Sequence, residues 1–149
     1  MKKKQIENIL KSGIPIYGDL DYRNKSCPLE TPEQITAVGH IRKTMPTLGD
    51  VLVHIKNEGK RRRGAAKEKV AGMITGASDL IAPGCPAFTC EVKREDHTQS
   101  EISDDQINYL IAAKKAGSFV CVALGHKGVI EAAKDWEKLN HEHIPKTKN

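Results

Sequence analysis

The chain has 149 residues, 38% hydrophobic and 29% charged, which suits one globular domain with its own core and excludes an intrinsically disordered chain. It holds no apolar run of eighteen residues, so a membrane-spanning helix is excluded, and Gln5, Glu7 and Asn8 stand directly after Met1-Lys2-Lys3-Lys4, where a signal peptide needs apolar residues. The net charge of +5 favours an anionic partner, and the four cysteines (27, 85, 90, 121) contain no C-x-x-C pair, which argues against a zinc site or a disulfide framework.

Residues 1–29 have weak periodicity and several breakers, and read as an N-terminal arm with one short helix around Gln5–Lys11. Thr31-Pro32-Glu33-Gln34 then has the form of a capping box, followed by an apolar face of Ile35, Val38, Ile41 and Met45 up to Pro46. Val51–Ile55 reads as a short buried strand and Asn57-Glu58-Gly59 as a turn. Between Lys56 and Lys69 stand seven basic residues against two acidic ones, an excess equal to that of the whole chain. Lys60, Arg61, Arg62 and Arg63 have no acidic residue among them, and together they suit contacts to phosphates. A helix is expected over 65–74, ending at Gly76.

Asp79-Leu80-Ile81 and Ala87–Lys93 read as two antiparallel strands joined by Ala82-Pro83-Gly84-Cys85-Pro86. A polar loop leads to a second capping box, Ser103-Asp104-Asp105-Gln106, and to a helix ending at Gly117. Phe119–Leu124 is a continuous apolar run, as in a central strand covered on both faces. A last helix carries Val129, Ala132, Ala133 and Trp136, before a polar tail from Asn140. The sum is an α/β domain over 30–139, flanked by the arm (1–29) and the tail (140–149).

Chemistry concentrates in the hairpin. Residues i and i+2 of a strand share a face about 7 Å apart, so Glu91 and Lys93 stand together with Thr89, while Phe88, Cys90 and Val92 point to the core. Asp79 opens the partner strand, which brings a second carboxylate near Glu91. Two carboxylates at one sheet edge suit Mg²⁺, and a neighbouring lysine can stabilise charge on a phosphate. Spacing alone also fits an exposed Asp and a solvated Glu–Lys couple on an amphipathic strand.

The succession Gly76-Ala77-Ser78-Asp79-Leu80, Glu91-Val92-Lys93, Ser103-x-x-Gln106, Ala116-Gly117 and an apolar strand resembles the VRR-NUC family of the PD-(D/E)xK nuclease superfamily. Upstream, His54-Ile55-Lys56-Asn57 with Gly59 and Lys60–Arg63 is similar to a further family segment. Ser78 departs from the proline usual before the metal aspartate. The likeness spans about residues 30–137.

The resemblance implies a restriction-endonuclease-like core with a central mixed four-stranded sheet flanked by helices. It also implies Mg²⁺ or Mn²⁺ held by Asp79, Glu91 and the backbone carbonyl of Val92, with Lys93 as the catalytic lysine. Gln106 is similar to a glutamine that reaches the active site, although Ser103 and Gln106 equally make a capping box. Glu30 and Glu33 are both candidates for an acidic residue completing the metal site. Asn57, Lys60, Arg61, Arg62 and Arg63 would contact DNA.

The implied function is a metal-dependent endonuclease acting on duplex or branched DNA, in the cytoplasm of a bacterium or a phage-infected host. A homodimer is one candidate assembly. The alternatives are a non-catalytic nucleic-acid-binding module of the same fold, or an enzyme acting on another phosphate substrate. Aromatic residues make up only 4% of the chain, which disfavours stacking on single strands.

Overall fold

The alternating stretch Phe88–Lys93 (β4) and the apolar run Phe119–Leu124 (β5) make the two longest strands, side by side at the centre of the sheet. They run parallel, in register from Phe88 opposite Phe119 to Lys93 opposite Leu124. A parallel pair needs a crossover, and the helix Asp104–Lys115 (α4) supplies it. The computed structural model describes residues 1–55, 70 and 72–143, with the backbone alone at 141–143. The turn read at 57–59, the basic cluster and most of the helix read over 65–74 lie outside the described residues; residues 72–74 are not helical.

β3 (Leu80–Ala82) pairs antiparallel with β4, and β2 (Val53–His54) antiparallel with β3. The helix Lys3–Lys11 (α1) forms as expected from the N-terminal stretch. β1 (Ile16–Tyr17) then pairs parallel with β5, giving the order β1-β5-β4-β3-β2. The fold is thus the expected α/β one, a central mixed sheet flanked by helices, with five strands rather than four. The additional strand comes from the stretch read as an arm. It is two residues long between Pro15 and Gly18, too short to leave a periodic signal. Gly18, at φ 101°, passes so close to β5 that a Cβ would lie 2.9 Å from that of Leu124.

Two cores flank the sheet. Phe88, Cys90, Val92, Cys121 and Ala123 pack under α2 (Glu30–Thr44), α3 (Pro46–Gly49) and the C-terminal helix α5 (Gly125–His143). Val120, Val122 and Leu124 pack on the other face under α1 and α4, with Ile9, Ile14, Ile107 and Leu110. The expected alternation of β4 therefore holds, but its second face is not open. Thr89, Glu91 and Lys93 are 3%, 0% and 3% exposed.

Other expectations are corrected. α2 begins at Glu30 with Leu29 as its N-cap, rather than at a Thr31 cap. It buries Glu33, Ala37 and Ile41, so Ile35, about 200° around the helix from Glu33, faces solvent. The strand expected as buried at 51–55 is the exposed edge β2, half of whose Val53 surface is open. α5 begins at Gly125 and continues to His143, past the start of the expected tail at Asn140. Asn140, placed in a polar tail by its sequence, is buried and accepts a hydrogen bond from the Cys85 amide at 3.0 Å. No helix among the described residues is long and apolar enough to cross a membrane.

Candidate active site

Register decides where the hairpin carboxylates go. Leu80 pairs with Cys90 and Ile81 with Thr89, so one further step sets Asp79 opposite Glu91, on the same side of the sheet. Asp79 is then held from three directions. Its Oδ2 accepts from the Val92 amide at 2.9 Å, and its carbonyl accepts from the Ile55 amide at 2.9 Å. His54 Nδ1 lies 3.1 Å from that carbonyl and 2.7 Å from Gln34 Nε2, which ties α2 to the strand start. Gly76 makes the approach possible: at φ 80° it presses on α4, where a Cβ would stand 2.4 Å from the Asp105 carbonyl carbon. The preceding segment is thus seated on the N-terminus of α4.

Glu91 sits at the centre. Its Oε1 accepts from Lys93 Nζ at 2.9 Å and from Gln106 Nε2. Gln106 satisfies both readings of its sequence motif at once. Its Oε1 accepts from the Ser103 amide at 2.9 Å, its own amide donates to Ser103 Oγ at 3.2 Å, and the remaining amide nitrogen reaches Glu91. Glu91 Oε2 is buried and has no hydrogen-bond partner among the described residues. A buried carboxylate oxygen without a partner is costly, and a cation would relieve that cost.

Burial pushes the Glu91 carboxyl up to about 8; Lys93 opposes this, and Asp79 adds to it. At Lys93 burial favours the neutral amine, but the attraction of Glu91 and Glu30 prevails and the ammonium is held more firmly than usual. The folded chain therefore binds the Glu91 proton more tightly than the ordinary value of 4.5 allows, so the metal-free protein loses stability as pH rises from that range through about 8. Thermal melts with chelator should show the advantage of Glu91→Gln over the wild type widening up to about pH 8 and levelling above it. Parallel pH profiles for the two chains would contradict the assignment.

The two candidate glutamates of α2 part company. Glu30 Oε1 lies 3.9 Å from Lys93 Nζ and accepts from Ser100 Oγ at 2.9 Å. Glu33, one turn on and 2% exposed, is taken up by His126: its Oε2 accepts from the backbone amide at 2.7 Å and lies 2.6 Å from Nδ1. Glu30 therefore joins the Glu91–Lys93 group, and Glu33 serves the start of α5. Among the described residues no three His, Cys, Asp or Glu side chains are arranged to hold a metal ion, so a cation here would rest on Asp79, Glu91 and a backbone oxygen such as that of Val92. Two carboxylates with water and phosphate oxygens are a sufficient donor set for Mg²⁺. Asn57, Lys60, Arg61, Arg62 and Arg63 lie outside the described residues.

Sequence comparison matches no family model and no curated protein. Among solved structures, one described as a VRR_NUC domain protein superposes with a TM-score of 0.65 at 22% identity, over 76% of this chain and 92% of that chain. The chain has the fold of a VRR_NUC domain. Within that fold, sequence reasoning missed Ser100, Arg94 and His126, which touch Glu30, the segment before it, and Glu33. Ser100 and Arg94 sit in or beside a polar loop, and their partners lie about seventy residues away in sequence. No local pattern could have linked them.

Proposed function

We propose that the chain is a divalent-metal-dependent nuclease hydrolysing phosphodiester bonds of DNA. The observation that carries this reading is the buried Glu91 carboxylate. It stands across from Asp79, is hydrogen-bonded to Lys93 and Gln106 through one oxygen, and its other oxygen has no partner among the described residues. Asp79 and Glu91, with the Val92 carbonyl, would hold Mg²⁺ or Mn²⁺. When bound, such a cation supplies Lewis acidity toward the phosphodiester.

The chain's own groups do the rest. Gln106 and Lys93 occupy Oε1 of Glu91 and so leave Oε2 as its free donor. Lys93, kept protonated at Nζ by Glu91 and Glu30, carries positive charge toward phosphate oxygens as negative charge builds on them. With Glu91 and Lys93 buried and the Glu30 side chain 41% exposed, water is kept from the centre while the Glu30 and Asp79 side remains open to a DNA backbone. Branched or junction DNA is the proposed preferred substrate and the cytoplasm of a bacterium or phage-infected cell the proposed setting. A homodimer is the candidate assembly.

Cleavage of supercoiled plasmid and of synthetic junctions, with and without metal, tests the proposal. Nicking that requires Mg²⁺ or Mn²⁺, faster on junctions than on linear duplex, is expected. Tight binding without cleavage under any metal would favour the non-catalytic nucleic-acid-binding module instead.

Substrate affinity should depend on the basic stretch. Each phosphate neutralised on duplex DNA contributes about 0.9 to the slope of log affinity against log salt. Changing Arg61, Arg62 and Arg63 together to alanine should flatten that slope by roughly one to three units and leave metal affinity intact. Anisotropy measured in Ca²⁺ with the Asp79→Ala background keeps the substrate whole. An unchanged slope would move the DNA surface away from these arginines.

A further inference from the structure

The loop after β4 contains a hydroxyl whose two hydrogen bonds run in one direction. The Arg94 amide donates to Ser100 Oγ at 2.9 Å, and Ser100 Oγ stands 2.9 Å from Glu30 Oε1. An amide can only donate and an ionised carboxylate can only accept, so the hydroxyl proton must point at Glu30. That same Glu30 oxygen is the one 3.9 Å from Lys93 Nζ. Ser100 is 7% exposed, whereas the Glu30 side chain is 41% exposed. Glu30 is otherwise a surface carboxylate at the first position of a helix, with the rotational freedom that implies.

The neighbouring arginine restrains the same glutamate from behind. Arg94 Nε donates to the Pro28 carbonyl at 3.1 Å, and its Nη2 donates to the carbonyls of Lys25, at 3.3 Å, and Cys27. The guanidinium thereby fastens the segment that enters α2 immediately before Glu30. Lys93 and Arg94 are consecutive at the end of β4. One is what Glu30 faces and the other secures the chain that delivers Glu30.

We propose that Ser100 is a positioning residue for the reaction: its hydroxyl aims Glu30 at Lys93, so that the lysine is held between Glu91 and Glu30 in the orientation that turnover needs. This rests on the nuclease reading of the same site. Ser100 touches neither substrate nor cation and acts through Glu30 alone.

A double-mutant cycle on the full chain separates this from a purely structural role. Ser100→Ala should lower kcat for plasmid nicking about tenfold with little change in KM, and Ser100→Thr, which keeps the hydroxyl, should recover most of it. In a Glu30→Ala background, Ser100→Ala should have no further effect on kcat. Additive losses in the double variant, or an unchanged kcat in Ser100→Ala, would overturn the inference while leaving the wild-type nuclease reading in place. Crystals of Ser100→Ala supply a readout independent of activity. The Glu30 carboxylate is expected to swing away from Lys93; a carboxylate still 3.9 Å from Nζ overturns the inference whether or not the wild type cleaves DNA.

Discussion

Asp79→Ala is expected to reduce metal-dependent DNA cleavage by about 10²–10³-fold or more, the range seen when one preorganised charge-stabilising group is removed from an active site. Asp79 is only partly buried and its backbone contacts to Ile55 and His54 survive the substitution, so the variant should fold, less stable by about 1–3 kcal/mol for the Val92 amide left without its acceptor. Glu91 requires a different substitution. It is 0% exposed and carries the hydrogen bonds of Lys93 and Gln106, so alanine there would strand a buried ammonium. Removing one partner of a buried pair costs about 3–5 kcal/mol, which would confuse loss of activity with loss of fold. Glu91→Gln keeps the shape and an acceptor oxygen, and should lose cleavage to the same degree while remaining folded. Full activity in either Asp79→Ala or Glu91→Gln would remove the metal assignment.

Lys93→Met is the second large effect. Methionine fills much of the same space without a charge, so the expected loss is in turnover, about a hundredfold or more, from missing charge stabilisation at the phosphate. Without Lys93 the Glu91 carboxyl should lie above its present value of about 8, because Lys93 is what opposes the effect of burial there, so metal binding should shift to higher pH rather than disappear. Calorimetry across a pH series reads the shift. A variant that turns over normally, or that binds no metal at any pH, would mean Lys93 has another role.

The candidate site was readable in the sequence because it is built on a hairpin. Period-two alternation set Glu91 and Lys93 on one face and Phe88, Cys90 and Val92 on the other, and the antiparallel register brought Asp79 across from Glu91. The helix start at Ser103 was equally readable, since a capping box is a local chemical pattern. What the pattern could not convey was decided at long range. The closing of the second face of β4 depends on where α4 docks. The choice between Glu30 and Glu33 depends on the rotational setting of α2, which buries Glu33 against α5 and leaves Glu30 beside Lys93 at the end of β4. The helical spacing that put Ile35 on the buried face misled for the same reason: a buried stripe that begins with a glutamate does not look apolar. β1 was invisible because two residues between a proline and a glycine have no periodicity to detect.

Crystals grown with Mn²⁺ and measured at a wavelength where manganese scatters anomalously test the central claim most directly. An anomalous peak within bonding distance of Asp79 and of Glu91 Oε2, the oxygen with no partner among the described residues, is the predicted result. Crystals with no peak between these two carboxylates, or with manganese bound only at another site, would contradict the account.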